Sequence, residues 1–316
     1  MVTNSSLEAP YLSFTREQWR QYRSDTPLLL NQDELEQLRG FNESISLQEV
    51  EDIYLPLARL VNLYVNASQQ LHKASSQFLG NSAPRVPYII GVSGSVAVGK
   101  STTSRILQTL LSRFAHHPRV DLITTDGYLY PNRFLVQHHL MEKKGFPESF
   151  DTKRLLRFLI DVKSGYGPLN VPLYSHEIYD VLETETKIVN KPDILIIEGL
   201  NILQSNTSGI GCQPRLFVSD FLDFTIYVDA PTAMISNWFT QRFMAFREQA
   251  REHPHLFFHQ FSQLSDNEAL AYAANVWHDI NEANLHANIL PFKHRARLIL
   301  TKTADHSIND VLLRKL

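Results

Sequence analysis

A single cysteine, Cys212, is all the thiol chemistry that 316 residues carry, so no intramolecular disulfide can form and no cysteine-based zinc site can be built. Such a chain fits a reducing compartment. Glycine is sparse at 12 residues, and the 15 prolines are scattered, with no Pro/Gly/Ser-rich linker to separate independent domains. No apolar run approaches the ~20 residues that span a bilayer, Ile194 to Ile197 being far short of it. The opening MVTNSSLEAPYLSF has neither a basic leader nor an apolar core, which makes the cytoplasm the expected location. Excess charge is missing too: 30 Lys and Arg face 33 Asp and Glu, a net charge of −3, without the positive field that non-specific nucleic-acid binding needs. Neither nucleic acid nor a membrane is therefore an expected partner.

What is present is an ordinary globular composition, 43% hydrophobic and 20% charged, in a chain long enough for one or two domains. Residues 1 to about 85 carry helical patterns, polar from Gln32 to Leu38 and apolar at three- and four-residue spacing from Ile53 to Tyr64. Beyond them short β-rich runs recur at Val86–Val92, Val120–Thr125, Ile194–Ile197, Phe224–Asp229 and Leu298–Thr301. The intervening segments carry helical signals at Thr102–Phe114, Lys153–Ser164, Thr232–Arg251 and Glu268–Ala287, so parallel strands joined by crossovers are expected. The fold class is α/β, a mainly parallel sheet flanked by helices. One decorated domain is expected, with a helical N-terminal extension over 1–85 and an α/β core over 86–316.

The segment Gly94-Ser95-Val96-Ala97-Val98-Gly99-Lys100-Ser101 matches G-x-x-x-x-G-K-[ST] in full and is followed by Thr102. The strand-like VPYIIGV precedes it and the helix-like TTSRILQTLLSRF follows. At this composition an accidental match has a probability of about 0.002 before the flanks are considered. Backbone N–H groups of such a loop turn inward around phosphates, Lys100 reaches the β- and γ-phosphates, the Ser101 hydroxyl can ligate Mg²⁺, and the helix N-terminus adds positive potential.

A P-loop does not by itself separate kinases from GTPases or motor ATPases, so nearby carboxylates must. Ile194-Leu195-Ile196-Ile197-Glu198 is an apolar run ending in an acid, which places Glu198 at the carboxyl edge of a buried strand as the metal-side acid. Leu122 to Asp126 repeats the pattern and makes Asp126 the candidate base for an attacking hydroxyl. Together they indicate a small-molecule kinase. Asn190-Lys191-Pro192-Asp193 spells the guanine-reading N-K-x-D of GTPases, but it precedes a strand instead of following one and contains a proline, so it reads as a loop. The 13 histidines include no H-E-x-x-H; the pairs His116-His117 and His138-His139 point different ways, and a zinc site at His253 and His255 lacks a third ligand. No G-x-S-x-G offers a hydrolase triad.

The segments GSVAVGKSTT, LITTDGYLYPN, KKGFPESFD, PLYSHEIYD, DILIIEGLNILQ, DFTIYVDAP and NILP, together with IYLPLARL in the helical preface, resemble the bacterial type I pantothenate kinases from about Tyr11 to Lys315. KKGFPES and PLYSHEIYD set this family apart from its uridine kinase and phosphoribulokinase relatives. The resemblance implies ATP- and Mg²⁺-dependent phosphorylation of pantothenate to 4′-phosphopantothenate, the first committed step towards coenzyme A, by a homodimer. It implies Asp126 beside the substrate hydroxyl, with Lys144, Tyr174, His176, Tyr179, Arg242 and Asn281 around pantothenate and the transferred phosphoryl group. Arg242 and Lys100 join Asp126 in the catalytic set. Asn42 and His306 match positions near the adenine. Lys100, Arg105, His176, Phe243, Phe246, Phe258 and Phe261 match the site where coenzyme A binds as a feedback inhibitor. Phe239 and Phe261 stand where tyrosine is common in the family. A uridine-kinase-like acceptor, or a GTPase-type switch, are the competing functions.

Overall fold

The computed structural model describes residues 10–40, 43, 45–80, 85–114, 119–205 and 216–315. The chain enters through β1 (Tyr11–Thr15), followed by α1 (Arg16–Arg20), α2 (Gln32–Leu38), α3 (Leu47–Glu49) and the long α4 (Leu55–Phe78). A βαβ unit comes next: β2 (Tyr88–Gly94), α5 (Lys100–Ser112) and β3 (Val120–Thr124). Two helices, α6 (Asn132–Gln137) and α7 (Thr152–Lys163), lead into a hairpin of β4 (Leu169–Ser175) and β5 (Asp180–Val189). The rest is β6 (Ile194–Glu198), β7 (Phe224–Asp229), α8 (Thr232–Ala250), α9 (Asp266–Val276), β8 (Leu298–Lys302) and β9 (Ile308–Arg314).

Seven strands form the main sheet in the order β1-β9-β8-β7-β2-β6-β3, and β4 and β5 pair apart from it. The five apolar runs expected as strands are its parallel part, β3, β6, β2, β7 and β8. Every residue of β2 and of β6 is buried, as continuous apolar runs must be when both sheet faces are covered. Parallel pairing aligns the carboxyl ends of these strands, so Val92 lies opposite Glu198 and Glu198 opposite Thr124. That alignment sets the P-loop beside both strand-edge acids.

Three expectations are corrected. The extension over 1–85 is helical in its greater part, yet Tyr11–Thr15 is a strand that pairs antiparallel with β9 and forms the sheet edge. Trp19, Leu35, Tyr54 and Leu57 of this extension belong to the same buried cluster as Ile90, Ile196 and Ile226. The helix expected over Glu268–Ala287 stops at Val276 and continues as π-turns over Trp277–Glu282 and Leu285–Ile289, which bury Trp277, Leu285 and Ile289. The hairpin and β9 are additional strands; DVLETETKIV of β5 is more than half polar and INDVLLR of β9 is mixed, so neither offers the continuous apolar run that marks a central strand.

A second, smaller cluster of Phe243, Phe261, Ala269 and Ala273 lies outside the main core, with Phe257 and Phe258 packed against it.

Candidate active site

The loop between β2 and α5 is built to expose backbone donors. Ala97 and Gly99 adopt φ of 57° and 96°, and Gly99 caps α5 with no side-chain hydrogen bond, leaving the first N–H groups of the helix open to an anion. A Cβ on Gly99 would lie 2.3 Å from Lys302 Nζ, so a second ammonium is packed on the loop where only glycine admits it. Val98 is fully buried and anchors the loop. Lys100 Nζ donates to the Ser95 carbonyl at 2.6 Å, and burial pushes this ammonium down to about 8 against the opposing pull of Glu198 and Asp126. The Thr102 hydroxyl accepts from the Gly40 N–H at 2.8 Å, tying the N-terminal segment to the loop.

Ser101 Oγ donates to Glu198 Oε1 at 2.7 Å, while Glu198 Oε2 is buried with no partner among the described residues. Burial raises the Glu198 carboxyl, opposed by the Ser101 bond and the Lys100 charge. A hydroxyl and an orphaned carboxylate oxygen are the hard donors that Mg²⁺ takes alongside substrate phosphates, so the pair fits that ion. No group of three or more His, Cys, Asp or Glu side chains fit to hold a metal occurs among the described residues.

Asp126 opens a 3₁₀ turn after β3 and is half-buried. Its charge bears on Lys100, Lys144, His176, Tyr174 and Arg242. The neighbouring Gly127 allows the hairpin to close on this turn, because a Cβ there would sit 2.1 Å from the Pro172 carbonyl oxygen. The hairpin turn carries His176 and Tyr179, whose rings lie 5.2 Å and 6.1 Å from that of Tyr174. Lys144 Nζ donates to Tyr179 O at 2.6 Å and Asn132 Oδ1 at 2.7 Å and sits 4.0 Å above the Tyr179 ring. Burial pushes the Lys144 ammonium down to about 8, with Asp180 and Asp126 opposing. Its backbone is fixed by Gly145, whose carbonyl accepts from Asn201 Nδ2 and Asn284 Nδ2 at 2.9 Å each.

A cavity of about 180 Å³ opens between the hairpin turn and α8. Lys144, His176, Tyr179, Arg242 and Asn281 line it, together with Phe239, Phe243, Phe246, Phe258 and Phe261. The guanidinium of Arg242 lies 5.9 Å from the centroid of the Phe246 ring, and burial lowers its basicity. Tyr174 is not part of this lining, although Lys144 Nζ lies 5.2 Å from its ring centroid. Arg105, on α5, donates to Leu38 O at 3.1 Å and does not line the cavity. His306 stacks on Trp238 at 4.1 Å with its Nδ1 buried and unpartnered among the described residues. Asn42 lies outside the described residues, as do His116, His117 and Cys212.

Lys302 and Glu43 were not singled out in the sequence. Lys302 is buried, 3.8 Å from the Glu43 carboxylate, and ends the strand LILTK. The strand-edge rule that found Glu198 and Asp126 finds it as well. The same rule also selects Asp229 at the end of β7, but Asp229 is ion-paired with Lys293. Asp193 of the N-K-x-D sequence lies at the amino edge of β6, away from the P-loop, paired with Arg85 at 3.1 Å and Arg119 at 3.8 Å.

The model of the phosphoribulokinase/uridine kinase family matches residues 89–253. A pantothenate kinase of Parvibaculum lavamentivorans is 56% identical over 308 residues, 98% of this chain and 94% of that one. One of Salmonella newport is 51% identical over 314 residues, 99% of each chain. Among solved structures, D-glycerate 3-kinase from Cryptococcus neoformans superimposes with a TM-score of 0.50 at 13% identity, covering 80% of this chain and 97% of that one, a likeness of fold alone.

Proposed function

From a chain that belongs to the phosphoribulokinase/uridine kinase family and, within it, to the pantothenate kinases, we propose transfer of the ATP γ-phosphoryl group to the primary alcohol of pantothenate, giving 4′-phosphopantothenate. The observation that carries this reading is the place of Asp126 just beyond the carboxyl end of β3, where the register sets Thr124 opposite Glu198 and Glu198 opposite Val92, two residues before the P-loop. A carboxylate so placed orients the acceptor hydroxyl for in-line attack and takes its proton. The open N–H groups of the loop and Lys100 hold the phosphates, and Arg242 stabilises charge on the phosphoryl group in flight. Ser101 and Glu198 would hold Mg²⁺, which when bound neutralises phosphate charge. Lys144, Tyr179, His176 and Asn281 offer donors and acceptors to the carboxylate, hydroxyls and amide of pantothenate. His306 beside Trp238 is the proposed edge of the adenine site. Family membership also supports a cytoplasmic homodimer.

Coupled ADP release with and without pantothenate tests the reading. Turnover that requires pantothenate supports it, whereas release with uridine in its place, or preference for GTP in competition, moves the chain to one of the alternatives. Feedback by coenzyme A belongs to the same proposal. Its phosphates would compete for Lys100 and the loop, with Arg105 and His176 nearby, and its pantetheine arm would lie among Phe243, Phe246, Phe258 and Phe261. Phe246→Val should then raise the inhibition constant of coenzyme A more than it alters ATP affinity; inhibition independent of ATP, or unaffected by the substitution, removes this part alone.

A further inference from the structure

The outer wall of the cavity is not held by the main core. Phe257, Phe258 and Phe261 lie on a 3₁₀ turn, Phe257–Phe261, between α8 and α9, within the small satellite cluster. Its start is tied to the hairpin, where Phe257 N–H donates to Glu177 O at 2.7 Å and the Phe257 ring stacks on Tyr179 at 4.5 Å. In its middle, His259 Nδ1 is 2.9 Å from the Ala250 carbonyl oxygen. At its far end the Phe261 ring packs on Phe243 and Tyr272, at 5.3 Å and 4.8 Å, and the backbone is held by one guanidinium. Arg247, only 3% exposed, donates from Nε to Phe261 O at 3.1 Å, from one terminal nitrogen to Leu264 O and from the other to Asp266 Oδ1 at 2.8 Å.

All three arms of this guanidinium end within residues 261–266, and Arg247 itself does not line the cavity. A planar group with fixed donors sets both the position and the tilt of the segment it holds, which a lysine ammonium does not. α8 carries Arg242, Phe243 and Phe246 on the cavity and Arg247 behind them, so the helix that presents the reacting-side cation also fixes the wall opposite it.

We propose that Arg247 is a positioning residue for the acceptor: it touches no substrate but sets the aromatic wall against which the acceptor's apolar part packs. The inference rests on the functional reading above for the identity of the acceptor. Steady-state constants for pantothenate and for ATP, measured on the wild type, Arg247→Gln, Arg247→Lys and Asp266→Asn, test it. Arg247→Gln should raise KM for pantothenate about tenfold, the equivalent of about 1.4 kcal/mol, with KM for ATP and kcat within about twofold. Arg247→Lys, which keeps the charge and part of the hydrogen bonding, should recover part of that loss. Amide exchange should quicken in residues 257–265 and stay unchanged in 88–112.

A folded Arg247→Gln enzyme with normal KM for pantothenate, or with both KM values raised alike, would overturn the proposal. If that variant does not fold, Asp266→Asn decides, since Asp266 is 73% exposed and loses one arm at the surface. A rise of about two- to threefold confined to pantothenate supports the positioning role, and no change refutes it. A wild type inactive with pantothenate would sink the functional reading instead, and amide exchange in 257–265 would then decide for or against the wall being held by Arg247.

Discussion

The proposed phosphate-holding half of the site and the proposed acceptor half are secured by different means. Gly94 to Ser101, Glu198 and Asp126 sit at or just beyond the carboxyl ends of β2, β6 and β3, three adjacent strands of the main sheet whose register is set by backbone hydrogen bonds. The acceptor half is assembled from a hairpin, the Lys144 loop, one face of α8 and an aromatic turn, joined by side-chain contacts such as Lys144 to Tyr179 O and Arg247 to Phe261 O. Backbone ladders hold position whatever the side chains are, while a wall made of side chains can be reshaped one substitution at a time. A kinase fold can in this way keep its phosphate chemistry and change its acceptor.

The strongest test of this division is the residue between the halves. Asp126→Asn keeps the size of the side chain and removes the proton acceptor, and turnover should fall by roughly 10²- to 10⁴-fold with ATP binding nearly intact. A parallel loss of ATP affinity, measured by titration, would assign Asp126 to the phosphate half. Next comes Lys100→Ala, which removes the buried ammonium of the loop and should lower phosphoryl transfer by at least ~10²-fold in a protein that still folds. Near-normal turnover in that variant would end the assignment of the loop.

A pH profile probes both halves at once. Lys100 and Lys144 are each depressed to about 8 by burial, and the ammonium is the form that serves anionic substrates. The value of kcat/KM should therefore decline as pH rises through about 8, and a profile flat to about pH 9.5 would show that neither charge matters to the free enzyme. For stability the sign is opposite: the unfolded chain keeps these protons at higher pH than the folded one, so the penalty for burying the charges is relieved as pH rises above about 8.

The smallest expected effect lies behind the phosphate half. Glu49 is buried, accepts the Ile308 N–H at 3.1 Å, and has its carboxyl raised from 4.5 to about 7, chiefly by burial. Since the folded value exceeds the unfolded one, its contribution is complete below pH 4.5 and is lost as pH rises through about 7. Glu49→Gln keeps an acceptor for Ile308 and should flatten that decline, a difference on the order of 1–3 kcal/mol at neutral pH. Thermal melting of both proteins at pH 5 and pH 8 measures it, and parallel shifts would show that the carboxyl titrates elsewhere.

The sequence by itself determined the phosphate half. The P-loop acts through the backbone of consecutive residues, and an apolar run ending in an acid places that acid at a strand edge whichever strands pair with it, so Lys100, Ser101, Glu198 and Asp126 were legible without any neighbour. The proposed acceptor residues from Lys144 to Asn281 could be named only through the family's motifs, because hairpins and loops carry no periodic signal that tells a binding tyrosine from a packed one. Tertiary structure alone decided what the other strand-edge charges meet. Asp229 pairs with Lys293, whereas Lys302 pairs with Glu43 and lies against the loop at Gly99. It also decided that the N-terminal segment closes the sheet through β1 and that Arg247 reaches Phe261 and Asp266. These pairings join positions far apart in the chain, and their energies come from burial and partner geometry, quantities that exist only once the elements have packed.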